Sequence, residues 1–441
     1  DDEIEFTAPA GATVTVGGFS SPEVMLFDVT TPESPALVAG HTVVAAGDGT
    51  YEAAFGVGGG PWDDGRRYLA VTALKAKAPA DLAARPARRL RTRESAEYVL
   101  IAPDSLAEAA GSLAAYRNGL GIRTMVVDLE DVYDDFNHGI RSPLAIRDFL
   151  RHATSRWPTP PRYVALVGRG TWDYKDFLGR GDNLIPTPLV STPWGLAASD
   201  VLLADLSGDD GRPEIALGRL PVITSQQLLA YVAKVQTHEA APSGPWQRRV
   251  LMTADNADSA GSFPNDSDRV ANLIPPEYQV HKVYLGSVEP TEARQSVLDV
   301  LNQGAVLFNY VGHGGFDHVA DESLFASASV ASLSNPDRLP VFLAMTCAVG
   351  NFAVPGAPSL GEALLLHETG GAYAAWTPSG LSVNSVAVEL DAAFFRSVFA
   401  DGHKVIGDAT VSSLGETPVS DSMRFTRYIY NLLGEPVSQI P

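Results

Sequence analysis

The chain contains a single cysteine, Cys347. No internal disulfide is possible, and the multi-thiolate zinc sites are excluded. Basic residues are also scarce, 32 Lys and Arg against 52 Asp and Glu, for a formal net charge of −20. That balance argues against a nucleic-acid partner, whose phosphates demand Lys and Arg, and favours cationic ones. No apolar run approaches the ~20 residues of a membrane span, so no transmembrane segment is expected. The first residues, Asp1-Asp2-Glu3-Ile4-Glu5, lack the basic and apolar regions of a signal peptide. They read as the start of a mature form or of a fragment. Phosphate-binding glycine motifs are missing too. Gly168-Arg169-Gly170 is followed by Asp173 where the dinucleotide fingerprint needs glycine, and no Gly-Lys-Ser/Thr follows.

What is present is globular. The 441 residues, 45% hydrophobic and 19% charged, suffice for two or three domains. Residues 1–93 are expected to form a β-rich domain plus linker. Short β-branched runs at 13–16, 24–29, 36–38, 42–44, 51–55 and 68–72 are separated by Gly, Pro and Asp at the spacing of a sandwich. The Ala/Pro/Arg-rich stretch 76–94 reads as the connector. Its Arg85, Arg88, Arg89, Arg91 and Arg93 are read as a solvated face beside acidic neighbours.

From Glu97 onward the pattern alternates strand and helix. Strands are predicted at 98–102, 123–128 and 162–168, with helices at 104–118 and 142–152 between them. Ser142 is the expected cap of the second helix, with Pro143 in its first turn. A long loop is predicted at 172–212, then a helix at 224–239 and a breaker at 240–245. A second series follows to a closing helix at 425–433. The expected fold class is therefore α/β, a parallel sheet with helices on both faces, in two subdomains, 94–242 and 243–441.

In such sheets, sites lie beyond the carboxyl ends of the strands. Three reactive side chains stand at predicted strand ends: Asp255, His313 within Asn309-Tyr310-Val311-Gly312-His313-Gly314-Gly315, and Cys347 within Met345-Thr346-Cys347-Ala348-Val349-Gly350-Asn351. A thiolate nucleophile, an imidazole to take and return its proton, and a carboxylate to orient the imidazole make up a catalytic set. The N–H groups of Gly314 and Cys347 are the expected oxyanion donors. The plainer readings are a buried small hydrophobe for Cys347, a turn for His-Gly-Gly and a helix cap for Asp255. Asp205, Ser207 and Asp209 alternate like the start of a calcium loop, although the later glycine and acid positions do not fit. An Asx-rich turn is the alternative.

These motifs resemble the gingipain-type cysteine peptidases, peptidase family C25 of the caspase-like clan. The likeness rests on the His313 and Cys347 segments, with support from 140–150, from Gly218-Arg219-Leu220-Pro221 and from Asn431-Leu432-Leu433-Gly434-Glu435-Pro436. It implies a caspase-like catalytic domain over residues 97–441 and an endopeptidase acting on proteins or peptides. Cys347 would be the nucleophile, His313 the general base and acid, and Asp255 the third member. It also implies a preference for a basic residue before the scissile bond, held by Asp266 or Asp268, both of which are otherwise read as helix caps. Trp376 to Ser379 would wall that pocket. No cofactor is required for the chemistry, and structural calcium is implied at the Asp205 loop. Members are generally secreted or cell-surface bacterial proteins, and some act as sortase-like transpeptidases. A non-catalytic binding protein on the same scaffold is the third reading. The chain departs from the best-known members in carrying a β-region before the catalytic part.

Overall fold

The computed structural model describes residues 2–32, 34–58, 65–78, 89–92, 94–418 and 420–441. The chain divides into two compact units, residues 1–87 and 88–441. Of the connector arginines, Arg85, Arg88 and Arg93 lie outside the described residues. Arg91 donates to the Asp135 carbonyl and lies over the Phe136 ring.

The first unit is built from short antiparallel strands in a four-stranded and a three-stranded sheet. Glu3–Ala8 is a strand that the period-two reading passed over. Phe6, Phe55 and Tyr68 meet edge to face and stacked in the core, with ring centroids 4.8–6.1 Å apart.

The second unit is organised on one ten-stranded sheet. Its strands in chain order are β1 (Tyr98–Ala102), β2 (Thr124–Asp128), β3 (Tyr163–Val167), β4 (Ala216–Leu220), β5 (Arg249–Ala254), β6 (Gln279–Tyr284), β7 (Leu307–Val311), β8 (Val341–Met345), β9 (Ala374–Pro378) and β10 (Tyr430–Gly434). Their spatial order is β6-β5-β7-β8-β9-β10-β4-β3-β1-β2. Strands such as Tyr98-Val99-Leu100-Ile101-Ala102 and Val341-Phe342-Leu343-Ala344-Met345 are buried at every position. Helices cover both sheet faces, so these strands are apolar without alternation. The helix Pro143–Arg156 begins as expected, Ser142 accepting from the Leu144 N–H with proline in the first turn.

The closing helix predicted at 425–433 is corrected here. The helix is Asp421–Ile429, and Tyr430–Gly434 is a strand, antiparallel to β9. A five-residue run such as Tyr430-Asn431-Leu432-Leu433-Gly434 does not distinguish a buried strand from a helix end, and the gap between β9 and β4 decides it. The loop predicted at 172–212 carries a hairpin, Leu189–Thr192 with Gly195–Ala198, and a short helix, Val201–Ala204.

The β3, β4 and β9 ends are tied together at one edge. Arg219 donates to both carboxylate oxygens of Asp200 and to the Gly168 carbonyl. The Asp200 N–H donates to Asn431, and Ser379 Oγ donates to the Ala198 carbonyl.

Candidate active site

Register places the reactive pair. β7 and β8 are parallel, with Val311 opposite Met345. His313 and Cys347 each lie two residues beyond that pair, so they leave the ends of adjacent strands at the same level of the sheet. The Gly312 N–H donates to the Met345 carbonyl at 3.3 Å, which extends the pairing one step past the strand ends. A Cβ on Gly312 would fall 2.4 Å from Asp255 Cβ and 2.4 Å from the Tyr310 hydroxyl oxygen, so no larger residue fits.

The His313 ring is half-exposed. Its Nε2 lies 2.8 Å from Asp258 Oδ2, and Phe263 meets it edge-on with centroids 5.2 Å apart. Hydrogen bonding to His313, then to the Ala260 N–H, holds the Asp258 carboxyl below the usual carboxylate range. Among the described residues no hydrogen bond is made to His313 Nδ1, so that nitrogen is uncommitted.

Asp255 is not the acid on the ring. It is 3% exposed, and its oxygens accept from the backbone N–H groups of His313 and Asn256 and from the Tyr310 hydroxyl. Burial pushes its carboxyl above the ordinary value. The β5 strand end thus fixes the backbone of His313. The loop beyond it curls back, and Asp258, three residues on, meets the imidazole. The spacing Asp255-Asn256-Ala257-Asp258 was the available signal.

Cys347 is partly buried, and its partners are on the segment after β9. The Ser382 N–H donates to Sγ at 3.5 Å, and Sγ lies 3.8 Å from the Ser382 carbonyl. Burial raises the thiol, with the Ser382 N–H opposing. The next residue, Ala348, takes φ 53°, a conformation that costs a non-glycine residue ~1–2 kcal/mol. It is held there by its N–H on the Gly380 carbonyl and by the Val349 N–H on the Cys347 carbonyl, 3.0 and 2.7 Å. Among the described residues the backbone N–H groups of Gly314 and Cys347 donate to no protein acceptor. Gly314 passes so close to Thr346 that a Cβ would sit 2.5 Å from its Oγ1.

The four expected pocket residues separate. Asp266, in the first turn of the helix Phe263–Ala271, accepts from Asn384 Nδ2 at 2.9 Å. Asn384 lies two residues past Ser382, so Asp266 stands beside the thiol-holding segment. Asp268 is instead committed to the sheet edge, where Lys282 Nζ and the Tyr284 hydroxyl of β6 donate to it at 2.7 and 2.8 Å. Two residues along a helix turn the side chain to a different face. Trp376 is 1% exposed and packs on Phe394 and Tyr430 in the core, as an inward residue of a central strand must. Ser379 is buried, with Oγ bonded to the Ala198 and Ile429 carbonyls. Both side chains are turned into the core. Ser382, Asn384 and Asp258 are the site residues the sequence did not announce.

The Asp205 loop does not fit calcium. The Arg147 guanidinium already sits among its oxygens, donating to the Asp205 carbonyl and to Asp209 Oδ1. The second Asp205 oxygen accepts from the Gly211 N–H and the Tyr428 hydroxyl, and Ser207 Oγ donates to Glu214. Arg151, Arg424 and Arg427 donate to the carbonyls of Leu206, Asp209 and Asp210. Among the described residues no group of three or more carboxylate, imidazole or thiol side chains is arranged to hold a metal. Chelation with EDTA is expected to leave the Tm within 1–2 °C, roughly what a few tenths of a kcal/mol would move. Arg147→Ala is expected to cost ~2–4 kcal/mol in denaturant unfolding, because it strands buried acceptors.

The α/β unit, a mixed sheet with one antiparallel strand, carries a thiol and an imidazole at neighbouring strand ends in a gingipain-like fold. Residues 91–441 match peptidase family C25, and the chain belongs to that family. Gingipain R2 of Porphyromonas gingivalis (strain W83) is 26% identical over 289 residues, 63% of this chain and 36% of that protein. Gingipain R1 of the same species is 26% identical over 266 residues, 58% of this chain and 24% of that protein. The chain thus spans about a third or less of the length of these relatives. The crystal structure of the Arg-specific cysteine proteinase gingipain R superposes with a TM-score of 0.64 at 19% identity, over 80% of this chain and 81% of that one. No described helix is long and apolar enough to cross a membrane.

Proposed function

We propose that the chain is a cysteine endopeptidase that hydrolyses proteins or peptides through a thioester on Cys347. The observation that supports this is the β7–β8 register, in which His313 and Cys347 follow adjacent strand ends at the same level, with Asp258 on Nε2 of the ring. His313 Nδ1 takes the thiol proton as Sγ leaves Ser382 and attacks the scissile carbonyl carbon. A C–S bond forms, and the developing oxyanion is received by the N–H groups of Gly314 and Cys347. Collapse breaks the C–N bond, and the imidazolium returns its proton to the leaving amine. Water, deprotonated by the same ring, then hydrolyses the thioester. Asp258, ionised at neutral pH, stabilises the imidazolium between these steps.

We further propose that Asp266 selects a basic side chain before the scissile bond. One of its oxygens is taken by Asn384 of the segment flanking the thiol, and the other lies 4.0 Å from the solvent-exposed Arg269 guanidinium, which a substrate side chain would displace. Asp266→Ala is expected to lower kcat/KM for peptides cleaved after Arg or Lys by ~10- to 100-fold, the worth of one hydrogen bond to a charged group. Iodoacetamide labelling of Cys347 is expected to stay unchanged. An equal fall for neutral and basic peptides would overturn this assignment. Fluorogenic peptides ending in Arg, Lys, Leu or Glu test both the activity and the preference. Secretion or surface display in a bacterium is proposed from family membership.

A further inference from the structure

Large apolar side chains left in water are unevenly placed in the second unit. Among the described residues, the four exposed aromatic side chains are Trp172, Tyr174, Phe177 and Trp194. All four lie between β3 and β4, as do the exposed Leu178 and Leu196, and Leu381 is exposed on the segment after β9. Phe177 is 83% and Leu196 70% exposed. Isolated exposed apolar residues need no explanation, but a cluster held by rigid loops does.

These loops are rigidly held. Asp173 accepts from the N–H groups of Phe177 and Leu178, and Asp176 from those of Arg180 and Gly181. The Tyr174 hydroxyl donates to the Thr187 carbonyl. Trp194 stands edge-on to Phe425 with centroids 5.5 Å apart.

Two of the segments that bear these side chains touch segments next to the reactive thiol. Ser382 holds Sγ, and Leu381 precedes it. Gly380 lies against the hairpin that bears Trp194 and Leu196, where a Cβ on Gly380 would come 2.9 Å from Ala197 Cβ. On the other side, the segment leaving Cys347 reaches Trp172, whose N–H donates to the Ala353 carbonyl at 3.1 Å. From β8 to β3 is four places in the sheet order. At ~4.8 Å each that is ~19 Å, the span of ~6 extended residues.

We infer that this surface is a substrate exosite. It binds an aromatic or aliphatic side chain of the polypeptide being cleaved, about six residues from the scissile bond by the same spacing. The inference rests on the peptidase reading, and its test separates the two. Three substrates are compared: a short reporter of four residues, and two sixteen-residue peptides with Phe or Ser placed four to seven residues from the cleavage point. The wild type is expected to cleave the Phe peptide at least tenfold more efficiently than the Ser peptide. Phe177→Ser combined with Leu196→Ser is expected to erase that difference and leave the short reporter unchanged. Both positions are so exposed that folding should survive, which the reporter activity itself checks. Equal cleavage of the two long peptides by the wild type overturns the exosite. So does a wild-type dimer, seen by light scattering, that the double variant converts to monomer, because the surface then belongs to a second copy. Absence of cleavage of all three substrates, the short reporter included, overturns the peptidase reading instead.

Discussion

Cys347→Ala should lose peptide hydrolysis by a factor of ~10⁴ or more, since removal of a catalytic nucleophile leaves only binding and oxyanion stabilisation. The loss should fall in kcat rather than KM, because the thiol acts in the chemical step. Folding should be nearly untouched. Sγ is replaced by hydrogen at a partly buried position whose partners are one N–H and one carbonyl of Ser382. A Tm within a few degrees of wild type would confirm that the comparison is between folded proteins. The single thiol makes the control clean. Iodoacetamide can alkylate one site per chain, and labelling should track inactivation mole for mole. Undiminished cleavage by the alanine variant would remove the thioester mechanism and leave the scaffold as a binding protein.

Asp258→Asn should reduce kcat by ~10²- to 10⁴-fold with KM nearly constant, as when a histidine-orienting carboxylate becomes an amide. An amide can present its NH₂ to Nε2 and stabilise the wrong tautomer. Asp255→Asn should behave differently. Its carboxylate accepts from two backbone N–H groups and the Tyr310 hydroxyl. An amide nitrogen facing those donors should cost ~1–3 kcal/mol of stability. Measuring kcat and chemical denaturation for both variants separates the ring partner from the backbone anchor. The opposite result, catalysis lost with Asp255 and stability with Asp258, would reverse the assignment. The pH dependence has a definite sign. The Asp258 carboxyl is held below its ordinary 3.8 by the His313 bond. Its contribution is present above that ordinary value and lost only as the pH falls through the lowered one. No acid inactivation between pH 4 and 5 should therefore trace to Asp258.

The strand ends were legible because fully buried strands read as unbroken apolar runs, and a His or Cys at the end of such a run stands out. The register then followed from adjacency. Asp258, Ser382 and Asn384 were not legible. Each sits in a loop whose path is set by contacts far along the chain, such as Asp258 with His313 and Asn384 with Asp266. Trp376 and Ser379 misled for a related reason. Position after the nucleophile strand suggested a pocket, but burial between helix and sheet turned both inward. The Asp205 loop misled through composition, since alternating oxygens suit a guanidinium as well as an ion. Arg147, which supplies it, lies 58 residues away in sequence. The strand at 430–434 was lost because local pattern does not carry the need of a sheet for a filling strand.

That strand orders events during synthesis. β10 comes after the other nine strands of its sheet in chain order, yet it lies between β9 and β4. Until it emerges from the ribosome, the growing chain holds two half-sheets, each with an open edge ready to pair with the wrong partner. Joining the halves is therefore a late, nonlocal step, and such steps are slow. A nascent chain that carries both His313 and Cys347 still lacks the strand that joins the sheet, so consolidation of the site is deferred until residues 430–434 have been translated.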